Sequence, residues 1–409
     1  ARAVLGCGLG LQGGGVAVAS VASGLSSEGQ AVTLYLDAVT GVITGSTAGA
    51  AGDVSAANTV FTIAATDAGV VTLSQHQPID HGDTGSNSEA VSLAAGLVVL
   101  TAASRLTDGD GDVSGDSAAA AIGDSFVFTD DGPVAGVTAV AAVDEAGLRG
   151  DGGPLEVTRP LTIDMGADRE AGPVGVGFDA AQTALEALGL ESGTVALVYT
   201  VTDGAITARA GAGGDVVFTV TLDQPTAANG YQPGYSYVQD APLDHPAAGL
   251  DDLDLVFALT ATDGDGDTAP ATFAVQVRDD VATAVAETAL STVEGGTVLG
   301  TANGAANLLD NDTAGADGAL VHQVRYVDDS GTPQTVVITG ADTGPLDAQY
   351  GTLSVAADGS WSFTPAAALT HTAGTPLDAT FSYTLRDTDG DITPAADQPL
   401  SITDTTPTA

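Results

Sequence analysis

The chain has no lysine, a single cysteine and few aromatic residues, which make up 4% of its 409 positions. Its nine lysine-plus-arginine positions are therefore all arginine, and they face 53 acidic residues, so the formal net charge is -44 at pH 7. A surface this acidic excludes a basic face for nucleic acid or for anionic membranes. Cys7 alone allows neither an internal disulfide nor a cysteine-based zinc site. No strongly apolar run of about 18 residues occurs, so no membrane span is predicted.

Alanine, glycine, valine and threonine dominate what is present. Small β-forming residues joined by glycine-rich turns predict an all-β protein, and the length predicts two to four domains. Because basic partners are scarce, we expect bound cations to offset the acidic charge. The chain starts at Ala1 without methionine, and Ala3 to Ala22 lacks the charged start and leucine-rich centre of a secretory signal, so we interpret it as a piece of a longer protein.

One pattern occurs three times: a strand, an Asp/Gly loop, a second strand and an exit that contains aspartate. The loops lie at 108–112, 263–267 and 387–391, and His81, His245 and His371 precede them at loosely similar distances. We predict a Gly/Ala-rich, weakly structured lead-in at 1–29, a β-sandwich repeat at 30–135, a second repeat with insertions at 136–284 and a third at 285–409.

Residues that flank the loops alternate between apolar and polar, as in strands with one dry and one wet face. The alternation runs from Leu253 to Leu259 before the second loop and from Phe381 to Leu385 before the third. Gly351 to Pro365 predicts a hairpin that turns at Asp358-Gly359. Asp179 to Leu188 predicts a short helix capped by Asp179. These strands predict two-sheet β-sandwiches in series.

The Asp/Gly loops carry the predicted chemistry. Aspartates at alternate positions, with glycines that let the backbone curl, bring three carboxylates together in each loop. Calcium fits such a group because it accepts roughly six to eight oxygen ligands in flexible geometry, whereas a solvated turn without an ion is the alternative. The predicted ligands are the loop residues Asp108, Asp110, Asp112, Asp263, Asp265, Asp267, Asp387, Asp389 and Asp391, the exit residues Asp131, Asp280 and Asp404, and Asp310 and Asp312 in a fourth candidate loop with Asp317. The exit residues either return to their own loop or serve the junction with the next domain.

Two other calcium motifs do not fit. An EF-hand requires a bidentate glutamate at its twelfth position, where these loops have Ala119, Ala274 and Gln398. A nonapeptide β-roll requires a tandem G-G-x-G-x-D array, which the sequence lacks.

The motif order resembles the extender repeats of large RTX-type adhesins exported by type I secretion. The resemblance rests on DGDGDT at Asp263 to Thr268 with Asp279-Asp280, and on Asp108 to Val113 with the exit from Asp130 to Pro133. The third repeat is similar to VCBS or cadherin-like bacterial repeats, with LLDNDTAGADG, GTLSVAADGSWSFTP and FSYTLRDTDGD in that order. This resemblance implies Ig-like or cadherin-like sandwiches in an elongated array. It also implies calcium ions and neighbouring repeats of the same longer chain as partners, at the cell surface, in cell attachment or biofilm formation.

We predict no enzymatic activity, because no G-x-S-x-G motif occurs and Cys7 has no recognisable base beside it. Two alternatives stay open. The chain is a module that binds a surface glycan or protein if Tyr231, Tyr235 and Tyr237 form an exposed aromatic pocket. It is a set of appendage repeats of a secreted hydrolase if residues 136–260 hide a catalytic domain.

Overall fold

A computed structural model describes residues 2–82, 86, 88–150, 152–167, 169, 173–301, 306–372 and 374–405. Strands account for nearly all of its regular structure, and its buried hydrophobic residues form three separate clusters. We name the strands around these clusters unit 1, unit 2 and unit 3 in chain order. No helix in the described part of the chain has the length and apolar character needed to cross a bilayer.

The described residues of unit 1 form eleven strands in a four-stranded sheet (β10-β9-β1-β2), a five-stranded sheet (β3-β4-β5-β6-β7) and a two-stranded pair (β11-β8). Its strands are β1 Arg2–Gly13, β2 Val16–Val18, β3 Ser20–Ser27, β4 Gln30–Leu36, β5 Ile43–Ser46, β6 Thr59–Ala65, β7 Val71–Gln75, β8 Ala90–Ser92, β9 Val98–Thr107, β10 Val113–Ala121 and β11 Val127–Thr129. The core includes Phe61 and Phe128, whose ring centroids are 5.0 Å apart.

Unit 2 has sheets ordered β13-β23-β22-β16 and β14-β21-β20-β19-β18-β17, with a small pair β12-β15. Its elements are β12 Val134–Ala135, β13 Ala141–Asp144, β14 Leu155–Pro160, β15 Ile163–Asp164, β16 Gly175–Phe178, α1 Thr183–Glu186, β17 Glu191–Ser192, β18 Val195–Val201, β19 Ala205–Ala210, β20 Val216–Asp223, β21 Gly234–Gln239, β22 Asp252–Thr262 and β23 Thr268–Arg278. Tyr235 of one sheet stacks on Phe273 of the other at 4.0 Å, so the two sheets pack face to face.

Unit 3 has sheets ordered β24-β34-β31, β25-β30-β29-β28 and β27-β26-β32-β33. Its strands are β24 Leu290–Val293, β25 Val298–Gly300, β26 Leu320–Val327, β27 Pro333–Val337, β28 Leu346–Ala348, β29 Gly351–Val355, β30 Trp361–Pro365, β31 Leu377–Asp378, β32 Phe381–Arg386, β33 Ala396–Gln398 and β34 Leu400–Thr403. Trp361 lies edge-on to Phe381 in its core, with ring centroids 5.1 Å apart. The chain is therefore an all-β protein of tandem β-sandwich domains, as predicted.

The lead-in expected before residue 30 is wrong. β1 pairs antiparallel with β9 from Arg2↔Thr107 to Leu11↔Val98, and β3 pairs with β4. Leu9 and Leu11 enter the core of unit 1, so this segment is an integral part of that unit. The predicted limits after residues 135 and 284 remain predictions, and the cluster of unit 3 begins slightly earlier, at Ala282.

The sequence also predicted two local elements, a hairpin and a short helix. The hairpin is confirmed, with Leu353↔Phe363 and Val355↔Trp361 paired across the predicted turn. A helix does follow Asp179, but it spans only Thr183–Glu186 and Gln182 is its N-cap. Asp179 instead accepts a hydrogen bond from the Thr260 hydroxyl at 2.8 Å, so its predicted capping role is wrong.

Candidate metal centres at the unit junctions

The three Asp/Gly loops share one conformation. In the second loop the Asp263 N–H donates to the Asp267 carbonyl at 3.1 Å, while Asp263 Oδ1 accepts the N–H groups of Gly266 and Asp267 at 3.2 and 2.8 Å. Equivalent bonds close loops 108–112 and 387–391. The second glycine of each loop has a positive φ, from 97° to 117°, which favours glycine. The first glycine has no such need, so Thr388 replaces it in the third loop.

The loop of unit 2 meets the end of unit 1 at what we call junction 1. The His81 N–H donates to Asp265 Oδ2 at 3.3 Å, and His81 Nδ1 lies 3.3 Å from Asp130 Oδ1. One ligand atom from each of these three side chains lies within 4.8 Å of the others. Asp130, which precedes the predicted exit residue Asp131, therefore lies at the junction with the next unit.

Four acids at junction 1 each have one carboxylate oxygen that lacks a hydrogen-bond donor. Asp80 Oδ1, Asp130 Oδ2, Asp263 Oδ2 and Asp265 Oδ1 are buried without a hydrogen-bond partner. Burial, together with the adjacent Asp265 carboxyl, raises the pKa of Asp263 to about 7. A buried carboxylate oxygen without a donor is costly, and the raised pKa of Asp263 expresses that cost.

Junction 2, between units 2 and 3, repeats the arrangement. The His245 N–H donates to Asp389 Oδ2 at 3.3 Å, and the Gly249 N–H donates to Asp391 Oδ2 at 2.6 Å. Asp279 at the exit of unit 2 forms a group with Asp389 and Asp317, with one oxygen of each within 4.8 Å of the others. Asp317 is thus brought to the junction, although it lies next to the fourth candidate loop in sequence.

The acids of junction 2 also have raised pKa values. Burial, with nearby Asp389, raises the pKa of Asp317 to about 7, and burial with the same neighbour raises that of Asp387 to about 7. Burial raises the pKa of Asp279 to about 6, and the nearby carboxyls of Asp389 and Asp391 act in the same direction. Each acid thus adds to the unfavourable charge of its neighbours.

The second exit aspartate of each pair has a different environment. Asp280 forms an ion pair with Arg149 and accepts the Ala316 N–H at 2.8 Å, so its charge already has a partner within the chain. Asp131 accepts the equivalent N–H, that of Ala167, at 3.2 Å, and burial raises its pKa. The groups of three therefore contain Asp130 and Asp279, whereas the ligands predicted from the sequence are Asp131 and Asp280.

Beside Asp279 lies a fully buried carboxyl, that of Glu145, which is not among the ligands predicted from the sequence. Glu145 follows β13 and is 0% exposed. Burial raises its pKa to about 8, and its Oε2 lies 3.7 Å from His245 Nε2. Together with Asp279 these side chains form a further group of possible metal ligands.

The remaining predicted ligands lie away from both junctions. Asp108, Asp110 and Asp112 converge in an exposed loop, and Asp404 is also exposed. Asp312 accepts the Tyr383 hydroxyl at 3.1 Å and the Val285 N–H at 2.6 Å, while exposed Asp310 accepts the Asn307 N–H at 3.2 Å. Asp310 and Asp312 therefore make their hydrogen bonds within unit 3, whereas Asp317 joins the acidic group of junction 2.

Two features bear on the alternative functions. Tyr235 and Tyr237 are fully buried in the core of unit 2, so they do not form an exposed aromatic pocket with Tyr231. Tyr231 itself lies under Arg169, whose Cζ is 5.8 Å from the ring centroid. The hydrolase alternative requires a catalytic domain within residues 136–260. The described residues of this range form the sandwich of unit 2.

Comparisons with known proteins agree with the repeat architecture. A family model described as a domain of unknown function (DUF5801) matches residues 14–123 and again 140–276, and a bacterial Ig domain model matches 279–397. The chain therefore belongs to the DUF5801 family, whose two matches together cover more than half of it, and its last unit matches the bacterial Ig domain. No curated protein matches the chain.

Solved structures of cadherin repeats are similar at low identity. The protocadherin GammaB4 extracellular domain matches at 13% identity and a TM-score of 0.27, over 98% of this chain and 51% of that one. Zebrafish RET cadherin-like domains 1 to 4 match at 10% identity and a TM-score of 0.24, over 87% of this chain and 64% of that one. The chain thus spans between half and two thirds of those proteins, and the matches carry no information on function.

Proposed function

We propose that the chain is a calcium-stiffened structural segment of a large secreted bacterial surface adhesin. One observation carries this proposal. At both junctions the exit acid of one unit lies beside the Asp/Gly loop of the next, and the two bring together buried carboxylate oxygens that lack a hydrogen-bond donor. Converging carboxylates without basic partners are the donor set that calcium prefers. A bound ion would neutralise the acids and link two successive sandwiches.

The ligands differ between the two junctions only in detail. At junction 1 we assign Asp80, Asp130, Asp131, Asp263, Asp265 and Asp267, and at junction 2 Asp279, Asp317, Asp387, Asp389 and Asp391. Asp280 is less suited because Arg149 already neutralises it. The exposed loop 108–112 and Asp404 would gain their remaining ligands from neighbouring repeats of the same longer chain, whereas Asp310 and Asp312 would bind within unit 3.

Calcium affinity would connect this geometry to export. Extracellular calcium modules bind with dissociation constants on the order of 10⁻⁴ to 10⁻³ M, so such sites fill outside a cell and stay mostly empty in the cytosol. Type I secretion would then export a pliable chain, and the junctions would stiffen at the cell surface. The segment would extend an adhesive region during cell attachment or biofilm formation.

Thermal unfolding of the whole chain in calcium and in EDTA tests the proposal. We expect calcium to raise the melting temperature and small-angle scattering to show a stiffer, longer particle in calcium. Magnesium at the same concentration is the control for ionic strength, because Mg²⁺ prefers a rigid octahedral shell that keeps several waters. Identical melting and scattering curves in calcium and EDTA would refute the proposal.

A further inference from the structure

The group Glu145, His245 and Asp279 differs from the other acidic groups because it contains a buried imidazole nitrogen. Glu145 Oε2, His245 Nε2 and Asp279 Oδ2 are buried and have no hydrogen-bond partner. The three residues are 0%, 6% and 2% exposed, and one ligand atom of each lies within 4.8 Å of the others. These atoms are shielded from the outer solvent, and the side chains around them do not satisfy them.

Hydrogen bonds on the far side of the imidazole determine which nitrogen faces the group. His245 Nδ1 lies 2.5 Å from Asp251 Oδ1. An ionised carboxylate only accepts, so Nδ1 carries the proton and Nε2 keeps its lone pair in the neutral ring. A histidine whose other nitrogen is held by a carboxylate is the usual arrangement around protein-bound zinc.

The carboxyl groups are oriented in the same manner. The Gln239 side-chain amide and the Leu243 N–H donate to Glu145 Oε1 at 2.5 and 2.9 Å, which leaves Oε2 for the group. The Asp280 N–H donates to Asp279 Oδ1 at 2.6 Å, which leaves Oδ2. Three ligand atoms are thus each held in place through the other polar atom of the same side chain.

From this geometry we infer a second cation site at junction 2, formed by Glu145, His245 and Asp279, that binds a zinc-class transition metal. Zinc accepts imidazole nitrogen and carboxylate oxygen at about 2.0–2.2 Å, which in a tetrahedron separates two ligands by roughly 3.4 Å. Glu145 Oε2 and His245 Nε2 are 3.7 Å apart, close to that separation. Calcium prefers an all-oxygen shell, so the imidazole selects against it. Asp279 also belongs to the oxygen-only group with Asp317 and Asp389, so it is positioned to bridge the two ions.

Junction 1 also has a histidine nitrogen that faces acidic side chains, but there it is Nδ1 of His81 instead of Nε2. His81 Nε2 lies 3.4 Å from the Phe128 carbonyl, which only accepts, so Nε2 is the nitrogen with the proton. His81 Nδ1 then directs its lone pair toward Asp130 and Asp265. At both junctions, therefore, an imidazole nitrogen faces the first exit aspartate, Asp130 or Asp279, although the third acid differs.

Cobalt(II) is the probe for this site, because its visible absorption reports both binding and coordination geometry. The whole chain is titrated with Co²⁺ in saturating calcium, and Zn²⁺ is then added to displace it. We expect a tetrahedral-type spectrum that Zn²⁺ abolishes. His245→Gln and Glu145→Gln should weaken Co²⁺ binding at least about tenfold, whereas His76→Gln, which alters an exposed histidine, should leave it unchanged.

Asp251→Asn provides a variant that keeps all three ligands and changes only the carboxylate behind the ring. We expect roughly 10–100-fold weaker Co²⁺ binding at junction 2 from this change. Unchanged Co²⁺ titration in His245→Gln, or in Asp251→Asn if His245→Gln does not fold, would overturn the inference. The calcium-dependent rise in melting temperature of these variants is measured in parallel, so failure of the zinc-class site is distinguishable from failure of the calcium proposal.

Discussion

Asp389→Asn should change the stability of unit 3 in opposite directions with and without calcium. Asp389 lies among Asp279 and Asp317 and accepts the His245 N–H, so it connects the two units. With about 10 mM calcium and a dissociation constant of roughly 10⁻⁴ to 10⁻³ M, one bound ion stabilises the folded state by about 1.4 to 2.7 kcal/mol. Loss of that ion should lower the melting temperature by roughly 4 to 10 °C for a domain of this size.

Without calcium the same substitution removes a negative charge from a crowded acidic group. Two carboxylates about 4 Å apart repel by between about 1 and 4 kcal/mol at the effective dielectric of water or of a protein surface. In EDTA, Asp389→Asn should therefore melt at a higher temperature than the unmodified chain. This change of sign separates an ion-binding carboxylate from one that only supports the loop by hydrogen bonds.

The assay uses the only tryptophan of the chain. Trp361 is buried in the core of unit 3, so its fluorescence follows the unfolding of the unit that contributes Asp389. Asp110→Asn is the matched control, because Asp110 holds the equivalent position in the exposed first loop. We expect that control to shift stability by no more than about 0.5 kcal/mol. If Asp389→Asn destabilises equally in calcium and in EDTA, or if it behaves like Asp110→Asn, the reasoning is refuted.

Two further predictions concern the loops themselves. Gly266→Ala should lower calcium affinity and cost about 1 kcal/mol of stability, because φ at Gly266 is 106°. Gly264→Ala should be tolerated, because the third loop has Thr388 at the equivalent position. Calcium titration and melting of both variants check this prediction, and equal effects would contradict it. In EDTA, stability should fall as pH rises from about 4 to about 7, because the pKa values of Asp263 and Asp387 are raised from 3.8 to about 7 and the folded state therefore binds more protons in that window. In saturating calcium the trend should reverse, since protons then compete with the ion, and melting at pH 5.5 and 7.5 in both buffers distinguishes the two cases.

Local features could be predicted from the sequence wherever one period or one turn controls the backbone. The hairpin around Asp358-Gly359 and the strands around the second loop follow directly from alternation of apolar residues. β1 was not predicted because its high glycine content is unusual for a strand. Its apolar residues Leu5, Cys7, Leu9 and Leu11 nevertheless alternate with glycine at the period of two that is typical of a strand. The alternating leucines were the available signal.

Partners across a junction could not be predicted in the same way. His81 and Asp265 are 184 positions apart, and their hydrogen bond depends on how two folded units dock. Nothing local distinguishes Asp279, which joins the acidic group, from Asp280, which pairs with Arg149. The repeated order of histidine, loop and exit acid was the sequence signal for Asp130 and Asp279. This order shows that the same elements recur in each unit, but it does not show which side chains are in contact across a junction.

The separation of the three hydrophobic clusters determines what an ion at a junction can do. Among the described residues, each cluster lies within one unit and none spans a junction. The apolar burial that folds each sandwich is therefore largely independent of the ions, and the junctions depend on N–H donors such as that of His245 and on neutralisation of the acids between the units. Calcium should accordingly fix the angle between neighbouring sandwiches in addition to stabilising the folded units that supply its ligands. In low calcium the units would be folded and the junctions loose, as a pliable exported segment requires. In high calcium the same units would be held in line, as a stiff surface spacer requires.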